Sequence, residues 1–362
     1  MLEMSTVFDE SEQFESDEWK LKMSARGEIL KNHQVRHILL VHGTFAGNDA
    51  LGLFDLFEPI AQKMMGSTVI TDKLKTQGKK LLNYLAKDIG NYTPDYADAF
   101  GKALNHEISC ELLTWGSGNY HLARLKGTVE LAQKLADIIT QDNILETERL
   151  LLMGHSHAGQ LFALLTTFLE NGETAQRLYK LMEKTVRLGK IDALLSNVEK
   201  IKTVNLDIVT FGTPVRYAWG DYKKYRLMAI VNHRSPVTMR GLLTTKNGDY
   251  VQQWGVEGTD MFPPDEKKLN DEFDAILDQG RDIPVLIDSL ADKNRRHAHT
   301  ANNTPVGKTL LVDYKDNADN LLKRLDITHC VKTLFGHGVY TETKAMLFNI
   351  DTIIENLYQS SS

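Results

Sequence analysis

Short apolar runs recur along this chain, and most are followed by a stretch of helical periodicity. That alternation restricts the fold more than any other feature. HILLVHG (37–43), ISCELLTW (108–115), RLLLMG (149–154), LDIVTFGTP (206–214), YRLMAIVNH (225–233), TLLVDY (309–314) and HCVKTLFG (329–336) read as buried strands. DYVQQWGVEGTD (249–260) reads as a weaker one. HLARLKGTVELAQKLADIIT (121–140) carries Leu125, Val129, Leu131, Leu135 and Ile138, which suits an amphipathic helix. AGQLFALLTTFLE (158–170) and MLFNIDTIIENLY (346–358) read as further helices. Strands that are apolar throughout are buried on both faces. The pattern therefore predicts an α/β fold, with a mostly parallel central sheet and helices on either side.

No internal repeat or linker divides the chain, and 362 residues can bury a substantial core. Residues 26–362 are expected to form one domain, with helical insertions near 52–105, 170–205 and 262–308. Residues 1–25 are expected to be an acidic, flexible extension. The first 19 residues hold seven acidic side chains and no Lys or Arg, and removing them turns the net charge from -6 to about +1. This balance gives no reason to expect a nucleic-acid partner. No apolar run approaches the roughly 18 residues of a membrane span, and the N-terminus lacks the basic region of a secretory signal. The expected location is the cytoplasm, or outside the cell by a route that needs no signal peptide. Cys110 and Cys330 read as buried free thiols.

The chemistry centres on RLLLMGHSHAGQLFALL (149–165), where strand periodicity changes to helix periodicity around Ser156. The nucleophile elbow, Gly-x-Ser-x-Gly, occupies such a junction, and its sharp turn requires small neighbours. Gly154 precedes Ser156 by two, whereas Ala158 replaces the second glycine and Gly159 follows it. The plainer alternative is a serine that merely caps the helix. A serine nucleophile needs a base and donors for the developing oxyanion. The backbone N–H of His157 and that of Thr44, in VHGTFAG (41–47), are the expected oxyanion donors, with His42 orienting its loop.

VHGTFAG, TWGSGNYHLAR, GHSHAGQ, FGTP and GHGVYT follow one another in the order found in lipase-like bacterial serine esterases of the α/β-hydrolase superfamily, which this chain resembles. LDIVTFGTPVRYAW followed by IVNHRSPV is also similar to fungal-type triglyceride lipases. The resemblance covers roughly residues 36–260 and 309–356. It implies the α/β-hydrolase fold, an ester substrate and no cofactor.

His337, in LFGHGVYT after the last strand, is the expected base, with His233 the runner-up. His329 reads as structural, and His155 and His157 lie too near the serine in sequence to reach its hydroxyl. The acid departs from the pattern. The resemblance places an Asp after the strand that ends in IVNHRSPVT, and Ser235 stands there instead. Asp260 is the expected acid, Asp313 and Asp316 are the alternatives, and Glu257 and Asp221 come behind them. His297 and His299, in RRHAH, lack partners for a metal site, so no metal is expected. The amphipathic segment 173–201 reads as a helix packed on the core or as a lid that meets a lipid surface.

The expected activity is hydrolysis of carboxylic esters, of lipid or other acyl origin, through an acyl-enzyme. The partner is then a small-molecule or lipid ester, with room for transient contact with a membrane surface. A thioesterase or amidase with the same triad, or an inactive scaffold that binds a ligand or protein, are the alternatives.

Overall fold

The computed structural model describes residues 2–8, 11–43, 91–105, 108–185, 191–214, 216–233, 248–249, 252, 267–277, 307–314 and 336–359. Their strands are β1 (Leu2–Val7), β2 (Val35–Val41), β3 (Ser109–Leu113), β4 (Arg149–His155), β5 (Asn205–Phe211), β6 (Tyr225–Asn232) and β7 (Gly307–Asp313). They form one open sheet in the order β1-β7-β6-β5-β4-β2-β3, and every neighbouring pair is parallel. The helices are α1 (Asp17–Asn32), α2 (Pro94–Ala103), α3 (His121–Gln141), α4 (Ala158–Glu170), α5 (Glu173–Met182), α6 (Ile191–Ile201), α7 (Lys267–Leu277) and α8 (Met346–Ile353). The protein is of the α/β class, as the alternation of apolar runs and helices predicts.

Strand periodicity sorts the core into two layers, because successive side chains point to opposite faces. Leu39, Val41, Leu150, Leu152, Leu206 and Ile208 pack with α3 to α7 on one face. Ile38, Leu40, Leu151, Met153, Val209 and Phe211 pack with α1, α2 and α8 on the other. Helix α4 is buried on nearly every side, which explains why its sequence is largely apolar, with Gln160, Thr166 and Thr167 as its buried polar residues. At the end of the sheet away from the candidate site, Asp207 is buried. Arg226 (2.7 Å), the Arg149 guanidinium (3.3 Å) and the Tyr358 hydroxyl (2.7 Å) satisfy its carboxylate.

The chain leaves β2 for β3 on one side, whereas β4 leads to β5 on the other. The crevice between the C-terminal ends of β2 and β4 is therefore the topological switch point, where open α/β sheets bind ligands. Ser156 directly follows β4, and Gly43 lies two residues beyond β2. The topology alone brings these two segments together.

The N-terminal segment corrects the expectation of a flexible extension over residues 1–25. Residues 2–7 add strand β1 to the edge of the sheet, parallel to β7. Phe8 is buried, its ring 5.9 Å from that of Tyr314 and 5.2 Å from that of Phe348. Trp19 and Met23 of α1 enter the core. The acidic residues have local causes. Ser16 caps α1 by accepting from the Trp19 amide, and Asp17 and Glu18 sit in its first turn, where the helix dipole favours negative charge. Glu12 pairs with Lys22. Phe8→Ala is expected to destabilise the protein by about 3 kcal/mol in urea unfolding. A loose extension would give a change within about 0.5 kcal/mol.

Of the expected insertions, residues 52–90 lie outside the described residues, and α2 occupies part of 91–105. Segment 173–201 forms α5 and α6, which bury Leu178, Met182, Leu194, Val198 and Ile201 in the core. These helices pack on the domain. Within 262–308 the described residues are those of helix α7 and the first two of β7. The expected strand over 249–260 is absent at its described positions. Gly248 makes an isolated bridge to His233, and Asp249 follows it outside any regular element. The strand expected over 329–336 lies outside the described residues up to 335. No helix among the described residues is long and apolar enough to cross a membrane.

Candidate active site

Ser156 sits between β4 and α4 with φ of 56°, in the left-handed region that a non-glycine residue rarely occupies. The surrounding structure holds it there. Its N–H donates to Phe211 O (2.7 Å), and its carbonyl accepts from Thr213 Oγ1 (2.7 Å). Close packing dictates the small neighbours. A Cβ on Gly154 would lie 2.4 Å from the Phe162 ring, and one on Gly43 would lie 2.8 Å from Ser156 Cβ. The substitution of Ala for glycine at 158 is accommodated because the tight contact falls one residue later. A Cβ on Gly159 would meet Thr213 Oγ1 at 2.2 Å.

The Ser156 hydroxyl lies 2.6 Å from His337 Nε2, and His337 Nδ1 lies 2.7 Å from Asp249 Oδ2. All three residues are 0% exposed. The carboxylate can only accept, so Nδ1 carries the ring proton and Nε2 is left to accept from the serine hydroxyl. Asp249 has two further donors. The Tyr340 hydroxyl donates to Oδ2 (2.8 Å), and the Gln252 amide donates to Oδ1 (2.8 Å). Burial pushes the Tyr340 pKa well up, so its hydroxyl remains a neutral donor.

The carboxylate beside His337 is thus Asp249. Asp260, the acid expected from the sequence, lies outside the described residues, as does Asp316. Asp313 closes β7, where its carbonyl accepts from the Phe8 amide (2.8 Å). The general expectation that the acid follows the strand ending near 232 is nevertheless met in space. After residues 234–247 the chain returns to the end of β6, where the Asp249 amide donates to Asn232 O (2.9 Å). Asn232 also holds the His337 segment, because its Nδ2 donates to Gly336 O (2.9 Å) and its amide donates to the Tyr340 hydroxyl (2.7 Å). Asp249, Tyr340 and Asn232 were missed by sequence reasoning. The available signal was Asn247-Gly248-Asp249, a turn signature that ends in a carboxylate.

The remaining histidines divide by environment. Burial lowers the pKa of His42, which is neutral with Nδ1 donating to Gly43 O (2.5 Å) and Nε2 accepting from the Trp115 amide (2.9 Å). It orients the loop after β2. The Asn91 side chain holds the Gly43 amide in the same loop (2.7 Å). Burial also pushes His155 well below the ordinary histidine range, with the adjacent His337 adding to the effect. His155 therefore stays neutral, and its Nε2 donates to His337 O (3.0 Å). Neither ring meets the Ser156 hydroxyl among the described contacts. His157, expected to supply an oxyanion donor, is at the N-terminus of α4, where first-turn amides have no partner within the helix. Thr44, Cys330, Glu257, His297, His299 and His329 lie outside the described residues. Cys110 is a free thiol whose pKa burial pushes up to about 12. Asp221 is exposed beyond the far end of the sheet, just before β6.

No protein-family model matches the chain, and comparison with curated proteins and with solved structures yields no match either.

Proposed function

We propose that this protein is a serine hydrolase of the α/β-hydrolase fold that cleaves carboxylic esters, those of lipids or other acyl compounds, through an acyl-enzyme. The observation that carries the reading is the buried relay from Ser156 through His337 to Asp249, with hydrogen bonds of 2.6 and 2.7 Å. Three further features support it. The triad runs Ser, Asp, His along the chain, which is the order of α/β hydrolases. Each member follows the C-terminal side of the sheet, and the serine occupies a strained turn between strand and helix.

In this mechanism Ser156 Oγ bonds to the acyl carbon as its proton passes to His337 Nε2. Asp249 keeps the imidazole in the competent tautomer and stabilises the imidazolium. The negative oxygen of the tetrahedral intermediate is held by the His157 amide, at the positive end of the α4 dipole. The Thr44 amide is proposed as the second donor. Collapse breaks the ester bond, and His337 returns the proton to the leaving alcohol. Water, deprotonated by His337, then attacks the acyl-enzyme and releases the acid and free Ser156. Asp249 supplies the carboxylate that position 235 lacks, which supports catalysis over an inactive scaffold.

A fluorophosphonate probe tests the reading. The wild-type protein is expected to label and Ser156→Ala to remain unlabelled. A wild-type protein that takes no label, or a Ser156→Ala variant that still does, would overturn it. Turnover of p-nitrophenyl esters of increasing acyl length then tests the assignment to lipid-like esters.

A further inference from the structure

Arg124 is a fully buried side chain at the end of the first turn of α3, and the triad mechanism gives it no task. A charged group in the interior needs strong compensating contacts, and a hydrophobic residue of similar size often fills such a position with greater stability. Its contacts point at the residue after the nucleophile. Nε donates to His157 Nε2 (2.6 Å), Nη1 donates to the Tyr217 hydroxyl (3.0 Å), and Nη2 donates to Asn119 Oδ1. The Nε contact fixes the state of His157. A ring nitrogen that accepts from a guanidinium carries no proton of its own, so His157 is a neutral imidazole with its hydrogen on Nδ1.

The same ring is held from a second side. Trp115 meets it edge-on, with centroids 5.2 Å apart. Trp115 is itself bolted to the end of β2, since its amide donates to His42 Nε2 (2.9 Å) and its indole N–H donates to His42 O (3.0 Å). Both loops assigned to the oxyanion hole, after β2 and after β4, therefore converge on Trp115 and the His157 ring. The planar guanidinium has a rigid donor geometry that makes it a fixed reference for that ring.

We propose that Arg124 is a positioning residue for the oxyanion hole. By gripping the His157 side chain it sets the direction of the His157 backbone N–H. The inference rests on the hydrolase reading. The His157 amide faces the acyl oxygen most strongly when that oxygen becomes negative. Loss of the grip therefore lowers kcat and leaves KM nearly unchanged.

The test compares Arg124→Met, Arg124→Lys, His157→Leu and His157→Gln in the full-length protein. Arg124→Met and His157→Leu are each expected to lose on the order of 10²-fold in kcat, the effect of a misplacement of about 1 Å. KM should change little. Affinity for a trifluoromethyl ketone, whose hemiketal oxygen occupies the hole, should fall in parallel with kcat. Gln at 157 can accept from Arg124 Nε, and Lys at 124 keeps one donor, so each should lose several-fold less than its partner variant. Arg124→Met combined with His157→Leu should lose scarcely more than either alone.

Equal kcat for the Gln and Leu variants overturns the proposal, as does a folded Arg124→Met that matches wild type. If Arg124→Met fails to fold, the two His157 variants decide the matter from the other end of the contact. Fluorophosphonate labelling of the same preparations separates the two levels. An unlabelled wild type sinks the hydrolase reading itself, whereas a labelled wild type with an indifferent Arg124 sinks only this inference.

Discussion

Ser156→Ala and His337→Ala are each expected to lower turnover on a short-chain ester by on the order of 10⁶-fold, with the double variant scarcely worse than either single one. The non-additivity follows from the geometry. Nε2 of His337 lies 2.6 Å from the serine oxygen, so the two groups act as one unit. Without the imidazole the hydroxyl keeps its proton, and without the hydroxyl the imidazole has no nucleophile to activate. The measurement is kcat for the four proteins of the cycle, each checked for a native circular-dichroism spectrum. Multiplicative losses would mean that the two residues act independently, which the observed contact does not allow.

Asp249→Asn is expected to lower kcat by on the order of 10⁴-fold, while Asp260→Asn and Asp313→Asn stay near wild type. Asn is nearly isosteric, so the backbone hydrogen bond that holds residue 249 against Asn232 survives. What changes is the hydrogen-bond polarity. The amide NH₂ can donate to His337 Nδ1, which moves the ring proton to Nε2, the atom that must accept from Ser156. The Tyr340 hydroxyl and the Gln252 amide also lose their charged acceptor. Steady-state kinetics on the three variants checks this. A severe loss in Asp260→Asn with little in Asp249→Asn would place the acid elsewhere.

Much of the site was legible before any coordinates. Ser156 was marked by the meeting of two periodicities, and His337 by its place after the last strand and between two glycines. Both marks are local, and local pattern carries them. Asp249 was not legible, because the expected slot beyond β6 holds Ser235 and the carboxylate arrives only after residues 234–247. Nothing in the chain states that Asp249 comes back to Asn232. The N-terminus failed for a related reason. Its acidity reads as solvated tail, yet it serves the first turn of α1 and a pairing with Lys22, while Phe8 and Trp19 are buried.

Periodicity alone was sufficient for the α/β class, for the strand–helix junction at Ser156 and for the parallel sheet. These depend on which side chains must leave water, and hydrophobic burial is read directly from spacing. Packing in three dimensions alone chose Asp249 among the chain's carboxylates, bound β1 to the sheet edge and set Arg124 against His157. Those choices depend on short hydrogen bonds between segments tens to hundreds of residues apart. Such bonds leave no periodic trace, because a directional contact is specified by where two backbones end and not by composition along either one.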